Sequence, residues 1–431
     1  MCVLSRLTCG CKRGVTTRVP PTAKKASLGS VKYAIRNFLS EHTDTIPPHF
    51  HSYVQSAVPD WLQDAIIKPF HFNDVLEDVA NSSSPGYYYR QLGFRTKRSV
   101  IETCPNRLRY YAHMIKTGKL RCPRPLTIVS SVSSKIVEGK RKDRVAWIYP
   151  VEVSAIEAMF ERSLALWKPA DYEPKPETHH GEWCGTILAW DSDFSRFDST
   201  VPQWLVEYAL DVIESRLRFD EYITGEKPYK ATSLQRLWQF IRHYFVHTPF
   251  LLDGKVHTKR HGVPSGSRFT NVVDTIISSA VLSYLHATNE CNARVITYGD
   301  DGHNKFCTCD PSAVVKGALQ AFGMLLKVQF PNEHGCLTYC QAECHNGEPF
   351  HPGIWFANIL NCAPTHCAGL VAYCLMMSAR PTKQQARELR GYCLSHFPAY
   401  VHARERLWID KLIGHGEAVD ITSIDCGVSS L

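Results

Sequence analysis

The feature that most restricts the fold is a short β-rich run that ends in a tight acidic turn. Arg294 to Tyr298 are typical of a strand, Gly299-Asp300-Asp301-Gly302 of a turn, and His303 to Cys307 of a returning strand. Two carboxylates about 4 Å apart repel each other by roughly 1 kcal/mol in water and by more in a partly buried site. The run therefore predicts a β-hairpin whose acids either bind a cation or face solvent.

A second group of acids follows another apolar run. Ile187 to Trp190 lead into Asp191, Asp193 and Asp198. Carboxylates at strand ends predict a site for a divalent cation, because Mg²⁺ prefers their oxygens. Asp191 is expected to be a solvated acid. Thr200-Val201-Pro202-Gln203 has the spacing of a capping box, so a helix is predicted over 201–218.

A glycine-containing loop precedes the longest helical pattern. Gly262-Val263-Pro264-Ser265-Gly266 opens a helix predicted over 268–286, and serine and glycine there expose backbone N–H groups to a phosphate or sugar. Thr270 and Asp274 share one helix face. An ordinary capped helix is the alternative, and the Thr270 hydroxyl could equally bond to a carbonyl of its own helix.

Positive charge is concentrated in the first part of the chain. Residues 1–150 hold 24 Lys and Arg against 10 Asp and Glu, which suggests a surface for a polyanion. Within this part, Lys142 and Arg144 precede an apolar run and could bind a triphosphate, Arg144 bidentately; a solvated loop is the alternative. Residues 1–40 contain no acid, which suits an RNA-contacting arm or, alternatively, a mitochondrial presequence.

The order and spacing of these motifs resemble those of viral RNA-dependent RNA polymerases. The residues around the motifs are most similar to those of the partitivirus-like double-stranded RNA viruses. Asp193-Phe-Ser-Arg-Phe-Asp198 is similar to the first palm motif of that family, Ser265-Gly266 with Thr270 to the second, and Gly299-Asp300-Asp301 to the third. Lys142-x-Arg144 is similar to the basic fingers motif. Ser84-Pro85-Gly86, with Thr96-Lys97, is similar to the template-entry loop.

The resemblance implies roles for these residues. Asp193 and Asp300 would bind Mg²⁺, or alternatively Mn²⁺, with Asp301 as a third carboxylate. Asp198 would sense the ribose 2′-hydroxyl, the group that distinguishes RNA from DNA. Many relatives carry asparagine where Asp274 stands. The nucleotide site would hold Lys142, Arg144, Asp198, Ser265, Gly266, Thr270 and Asp274, and the template would contact Ser84, Pro85 and Gly86.

The resemblance also implies a fold and an organisation. We expect an α+β right hand, with fingers over 1–190 that include the basic arm 1–40, and palm over 191–218. A fingers insertion over 219–262, palm over 263–355 and a helical thumb over 356–431 would follow. Lys327 is the nearest counterpart of the lysine that protonates pyrophosphate in relatives; an ordinary surface lysine is the alternative.

The implied function is replication and transcription of a viral genome. The partners would be template and product RNA, NTPs and viral capsid protein, in the host cytoplasm and inside the virus particle. No run of eighteen apolar residues exists, so a membrane-spanning protein is not expected. A reverse transcriptase on the same architecture and a non-catalytic RNA-binding or capsid protein are the two alternatives.

Cysteine is frequent but shows no standard metal pattern. The chain holds 17 cysteines, an odd number spread over 431 residues, which suits reduced thiols in a cytosol-like compartment. Cysteine and histidine cluster between His334 and His351 without a standard zinc spacing. Reduced thiols are therefore the favoured interpretation of this cluster, and structural zinc is the alternative.

Overall fold

The structure is a computed structural model, and its helices and strands are concentrated between residues 28 and 331. It describes residues 28–40, 45–119, 127–137, 140–169, 189–331, 338–339, 342–345 and 348–350. The predicted thumb, 356–431, lies outside the described residues, as does most of the basic arm. No helix in the described ranges has the length and hydrophobicity needed to cross a bilayer.

Helices are the commonest regular element in this part of the chain. Their bounds are α1 Leu28–Arg36, α2 Phe50–Tyr53, α3 Asp60–Gln63, α4 Leu76–Val79, α5 Tyr87–Gln91, α6 Lys97–Thr103, α7 Pro105–Lys116, α8 Val151–Ala165, α9 Phe197–Thr200, α10 Gln203–Glu214, α11 Ser233–Val246, α12 Thr270–Thr288 and α13 Pro311–Phe322. The core of this part is built around α8 and α12, because these helices are buried on nearly every face.

The strands form three separate sheets. Their bounds are β1 Thr127–Val137, β2 Lys140–Ile148, β3 Trp190–Ser195, β4 Pro249–Leu252, β5 Lys255–Thr258, β6 Arg294–Tyr298, β7 Asp301–Lys305, β8 Leu325–Gln329, β9 Thr338–Tyr339, β10 Ala342–His345 and β11 Glu348–Phe350. The sheet orders are β2-β1-β4-β5, β6-β7-β3-β8 and β11-β10-β9.

The sheet β6-β7-β3-β8 is the one that carries the acidic motifs. Its strand pairs are all antiparallel. Helix α12 packs against β6 and β7, α10 packs on α12, and α13 packs on β8. This sheet with helices on it is the arrangement expected for a palm.

The sheet β2-β1-β4-β5 joins segments that are far apart in sequence. Residues 249–258 pair with the strands of the predicted fingers, since Thr127 and Ile128 lie opposite Phe250 and Leu251 in parallel register. Helix α11 from the same segment packs on α7. Residues 219–262 thus contact the predicted fingers, as an insertion into that region would.

The chain divides into two compact units. One comprises 24–174 and 186–330 and contains the first two sheets; the other comprises 1–23, 175–185 and 331–431, of which the structure describes only β9 to β11 and Pro331. The division falls after residue 330, whereas the palm was predicted to extend to 355. The domain boundaries remain a prediction.

Several predicted elements have different bounds in the structure. The returning strand begins at Asp301, not His303, because the turn needs only Gly299 and Asp300. The helix predicted over 201–218 covers Gln203–Glu214, and its N-cap is Pro202 without a side-chain bond, so the capping-box prediction was wrong. It ends early because Leu217 forms a β-bridge with Ile67.

Candidate active site

Three carboxylates meet at one end of the sheet β6-β7-β3-β8. Strands β3 and β7 are antiparallel neighbours, and Asp193 lies directly opposite Asp301. Asp300 precedes Asp301 in the β6–β7 turn. The Asp193 side chain is 37% exposed and Asp300 is exposed, so a ligand can reach them from solvent. The fold thus brings together acids that the sequence places far apart.

The acidic turn is fastened to α12 by hydrogen bonds. The Gly299 N–H donates to Thr275 Oγ1 over 2.9 Å, and Ser278 Oγ donates to the Gly299 carbonyl over 2.8 Å. Thr297 Oγ1 donates to the Thr275 carbonyl over 3.1 Å. Gly299 has φ 62°, a left-handed conformation that glycine adopts without strain. The position of Asp300 is therefore set by the helix as well as by the hairpin.

A buried acid lies behind the turn. Asp274 on α12 is 6% exposed, and its Oδ1 has no hydrogen-bond partner among the described residues. Burial, then the charges of Asp198 and Asp300, raises the pKa of Asp274 well above its ordinary value. Without a cation nearby, its neutral form can donate as well as accept a hydrogen bond. Asp198 itself is half-buried on α9.

The loop before α12 rests on the end of β2. Ser265 is exposed and its Oγ donates to the Val145 carbonyl over 3.4 Å. A Cβ added at Gly266 would overlap the carbonyl oxygen of Trp147 and lie 2.7 Å from the carbonyl carbon, so only glycine fits. The side chains of Lys142 and Arg144, on the same strand, lie outside the described residues.

Thr270 does not present a free hydroxyl proton to a ligand. Its Oγ1 donates to the carbonyls of Pro264 and Ser267, each over 2.9 Å. The sequence left open a bond to a carbonyl of its own helix, whereas the observed acceptors lie in the loop that precedes α12. Helix α12 begins here rather than at residue 268 because Ser267 and Arg268 are held by another helix.

Glu157 is a site residue that the sequence analysis missed. Ser267 Oγ donates to its Oε1 over 2.6 Å and the Arg268 N–H to its Oε2 over 3.1 Å. Burial raises the pKa of Glu157 to about 7. Arg268 also forms an ion pair of 2.8 Å with Glu161. The available signal was an acid flanked by apolar residues on both sides, in the stretch from Ala155 to Phe160 within α8.

The predicted template-entry loop is packed against the start of α8. The Val151 N–H donates to the Pro85 carbonyl over 3.0 Å, and a Cβ at Gly86 would lie 2.7 Å from Pro150 Cα. Pro85 and Gly86 are buried, while Ser84 is half-buried. Template contact was predicted for all three residues, but Ser84 is the most accessible of them. Pro85 and Gly86 instead position the loop.

Asp191 differs from its sequence-based expectation, and Lys327 lies beside the carboxylates, where its role stays a prediction. Asp191 is 3% exposed and 2.5 Å from His303 Nδ1, so the prediction of a solvated acid was wrong. The error came from placing the acids after a strand, whereas β3 contains Asp191 and Asp193 themselves. Lys327 lies opposite Asp193 on β8, with Nζ 3.9 Å from Asp193 Oδ2 and a side chain 61% exposed.

The carboxylates at the sheet end suit Mg²⁺. This ion is usually bound through one or two carboxylates, with waters and substrate phosphates completing its shell. Asp193, Asp300 and Asp301 offer oxygen donors only, and at least two of them are open to a substrate. The donor set therefore fits a hard divalent ion.

Comparisons with known proteins agree with this geometry. Residues 176–328 match the family model for viral RNA-dependent RNA polymerase. The RNA-directed RNA polymerase of Cryptosporidium parvum virus 1 (strain KSU-1) is 30% identical over 185 residues, which cover 39% of this chain and 33% of that protein. The chain thus spans about a third of the length of this curated relative.

Solved structures show the same fold at low identity. The RNA-dependent RNA polymerase of a human picorbirnavirus is 14% identical, with a TM-score of 0.63 over 90% of this chain and 76% of that one. A Sicinivirus 3Dpol RNA-dependent RNA polymerase is 15% identical, with a TM-score of 0.61 over 88% and 86%.

The chain has the right-hand polymerase fold, and the predicted α+β class is confirmed. The sequence motifs predicted a resemblance to viral RNA-dependent RNA polymerases in particular, and the match to that family model confirms this prediction. The placement nearest to partitivirus-like viruses remains a prediction.

Proposed function

We propose that this chain is the RNA-dependent RNA polymerase of an RNA virus and joins nucleotides on an RNA template. The observation that carries this proposal is the position of Asp193 opposite Asp301, with Asp300 in the adjoining turn. The match of residues 176–328 to the viral polymerase family supports the substrate class. The chain would replicate and transcribe the viral genome.

The chain's residues would divide the work of holding the reactants. Asp193, Asp300 and Asp301 would hold Mg²⁺, with Mn²⁺ as the alternative; bound there, a pair of divalent ions activates the attacking oxygen and neutralises the leaving phosphates. Lys142 and Arg144 would hold the triphosphate. Since phosphoryl transfer depends mainly on positioning and electrostatic stabilisation, this arrangement needs no further covalent chemistry from the protein.

Asp198 and Asp274 would recognise the ribose. The charge of Asp198 lies close enough to raise the pKa of Asp274, so the two carboxyl groups lie near each other. A neutral Asp274 has a proton to donate and an oxygen to accept with. A ribose 2′-hydroxyl both donates and accepts, and therefore complements this pair better than a deoxyribose does.

The remaining partners follow from the same proposal. Template and product RNA would contact the basic first part of the chain through phosphates, which makes binding independent of sequence and weaker at high salt. Viral capsid protein would be a further partner, if the polymerase works inside the virus particle in the host cytoplasm.

The test is nucleotide incorporation by the purified chain with template RNA, NTPs and Mg²⁺. Asp300→Asn should abolish incorporation while RNA binding, measured by fluorescence anisotropy, survives. Asp310→Asn is the matched control, because Asp310 is an exposed N-cap residue and asparagine caps a helix equally well. Normal synthesis by Asp300→Asn would refute the metal assignment.

The two alternative functions predict different results in the same assay. A reverse transcriptase would incorporate dNTPs in preference to NTPs, and a non-catalytic RNA-binding protein would incorporate neither and bind RNA independently of Mg²⁺. Asp198→Ala should reduce the preference for NTPs; if the full preference persists, the sugar is recognised elsewhere.

A further inference from the structure

Four side chains that bind soft metals meet at the end of the palm sheet strand β7. They are His286 near the end of α12, Cys291 in the loop after that helix, and Cys307 and Cys309 just beyond β7. Their four ligand atoms all lie within 4.8 Å of one another. His286, Cys291 and Cys307 are 2%, 5% and 5% exposed, and Cys309 is half-buried.

Three of the separations between these atoms are close to those of a tetrahedral zinc site. Zn–S bonds of about 2.3 Å and Zn–N bonds of about 2.0–2.1 Å place ligands roughly 3.8 Å apart for two sulfurs and roughly 3.6 Å for sulfur and nitrogen. Cys291 Sγ is 3.7 Å from Cys307 Sγ, and His286 Nδ1 is 3.9 Å from Cys307 Sγ and 3.5 Å from Cys309 Sγ. Cys307 Sγ and Cys309 Sγ are 3.1 Å apart, which is longer than the roughly 2.05 Å of a disulfide and shorter than the separation of two sulfurs on zinc, so these two thiols would move apart when the ion binds.

Neighbouring groups orient the ligands as metal sites require. His286 Nε2 is 2.8 Å from Asn304 Oδ1, which can only accept, so the ring proton sits on Nε2 and Nδ1 has its lone pair free. The Thr308 N–H donates to Cys291 Sγ over 3.4 Å, and the Thr308 hydroxyl donates to it over 3.7 Å. Donors directed at a sulfur stabilise a thiolate, which is the form that binds a metal.

We propose that His286, Cys291, Cys307 and Cys309 form a structural zinc site. Four protein ligands leave no position for a substrate, which distinguishes a structural site from a catalytic one. The ion would link the C-terminal end of α12 to the residues that follow β7. Helix α12 forms the hydrogen bonds to the acidic turn, and β7 begins with Asp301, so the ion would stabilise the arrangement of both elements. Simple packing of reduced thiols would give burial but does not require one imidazole nitrogen and three sulfurs to converge.

The primary test is the metal content of the purified chain after dialysis against Mg²⁺, which would occupy the proposed carboxylate site. We expect about one zinc per chain by mass spectrometry of the elements, and a cobalt-exchanged protein with thiolate-to-cobalt charge-transfer bands and tetrahedral d–d bands. A wild-type chain that binds less than a tenth of an equivalent of zinc, and whose cobalt form lacks these bands, would overturn the proposal.

Variants locate the ion. Cys307→Ser with Cys309→Ser should lose one equivalent of zinc, whereas Cys104→Ser, which changes a half-buried thiol outside the cluster, should retain it. Unchanged zinc in the double variant would place the metal elsewhere, for example on the cysteines and histidines between residues 334 and 351, and would overturn the assignment.

A milder variant keeps the test independent of folding. Asn304→Leu leaves all four ligands in place and removes the acceptor that orients His286, together with two long bonds of 3.4 Å that Asn304 Nδ2 donates to the Trp190 carbonyl and to Ser192 Oγ. Loss of such a partner typically weakens metal binding about 10–100-fold. Competition with a chelator should show this fall in affinity; an affinity equal to that of the wild type would contradict the role of His286 as a ligand.

Discussion

Replacing Glu157 with glutamine should remove a defined part of the pH dependence of stability. Burial raises the pKa of Glu157 from 4.5 to about 7, so the folded chain binds this proton more tightly than the unfolded chain. The stability that this proton contributes is fully present below pH 4.5 and is lost as the pH rises through 7. Glutamine resembles the protonated acid in shape but does not ionise.

The size of the effect follows from the pKa. A tenfold change in proton affinity corresponds to about 1.4 kcal/mol, so a rise from 4.5 to about 7 is worth roughly 3 kcal/mol across the whole window. For a domain of this size 1 kcal/mol shifts Tm by about 2 °C. About 2.5 kcal/mol of this falls between pH 5 and pH 8, so the Tm of Glu157→Gln relative to the wild type should rise by roughly 5 °C over that range.

Differential scanning fluorimetry at one scan rate over this pH range provides the measurement. Glu152→Gln is a matched comparison, because Glu152 lies on the same helix and burial raises its pKa to about 7 as well. Each variant should show its own pH-dependent gain. A constant Tm difference between Glu157→Gln and the wild type from pH 5 to pH 8 would refute the reasoning, since it would mean that both chains bind the same protons.

Two further substitutions test the packing around the acidic turn. Gly266→Ala forces a Cβ against the carbonyl of Trp147, so we expect incorporation, measured as kcat/KM for NTPs, to fall at least about tenfold while RNA binding is unchanged; wild-type kinetics would show that the loop does not need this close approach. Thr275→Val leaves the buried N–H of Gly299 without its acceptor, which should cost about 1–3 kcal/mol of stability in urea unfolding; an unchanged midpoint would contradict this role.

The elements predicted best from sequence are those whose local pattern and tertiary role agree. The strand Arg294–Tyr298 has the predicted bounds, because a β-rich run ends in a two-residue turn that fixes the register. The bounds of α12 differ by two residues at each end. Its start is delayed by Glu157, a residue from a distant helix that no local pattern could indicate.

The acids of the candidate site were predictable for a different reason. Asp193, Asp300 and Asp301 were found from the spacing of family motifs, and the sheet brings them together through strand pairing. Asp191 shows the limit of such reasoning. It lies two residues before Asp193 and has the same side chain, but it pairs with His303 in the core, because the strand continues beyond the apolar run.

The candidate zinc site was invisible to sequence reasoning because its ligands come from three elements. Cys307 and Cys309 form a close pair, but Cys291 and His286 reach them only because β6 and β7 return the chain to the end of α12. The cluster between His334 and His351 attracted the zinc alternative because its ligands are dense in sequence. For a metal site, the distance between ligands in the fold matters more than their spacing in the sequence.

Helix α12 connects the candidate active site with the candidate zinc site. Its 19 residues are about 28 Å long, with Asp274 and the turn-binding Thr275 near one end and His286 near the other. Most of its side chains are buried, so its position is fixed by hydrophobic packing before any polar group acts. Thr275 and Ser278 then hold Gly299 in place by hydrogen bonds, and Gly299 in turn sets the position of Asp300, the next residue of the turn. A hairpin without these bonds would hold the turn less firmly. A metal at His286 would restrain the far end of the same helix and the exit of β7, so the hairpin would be held at both ends.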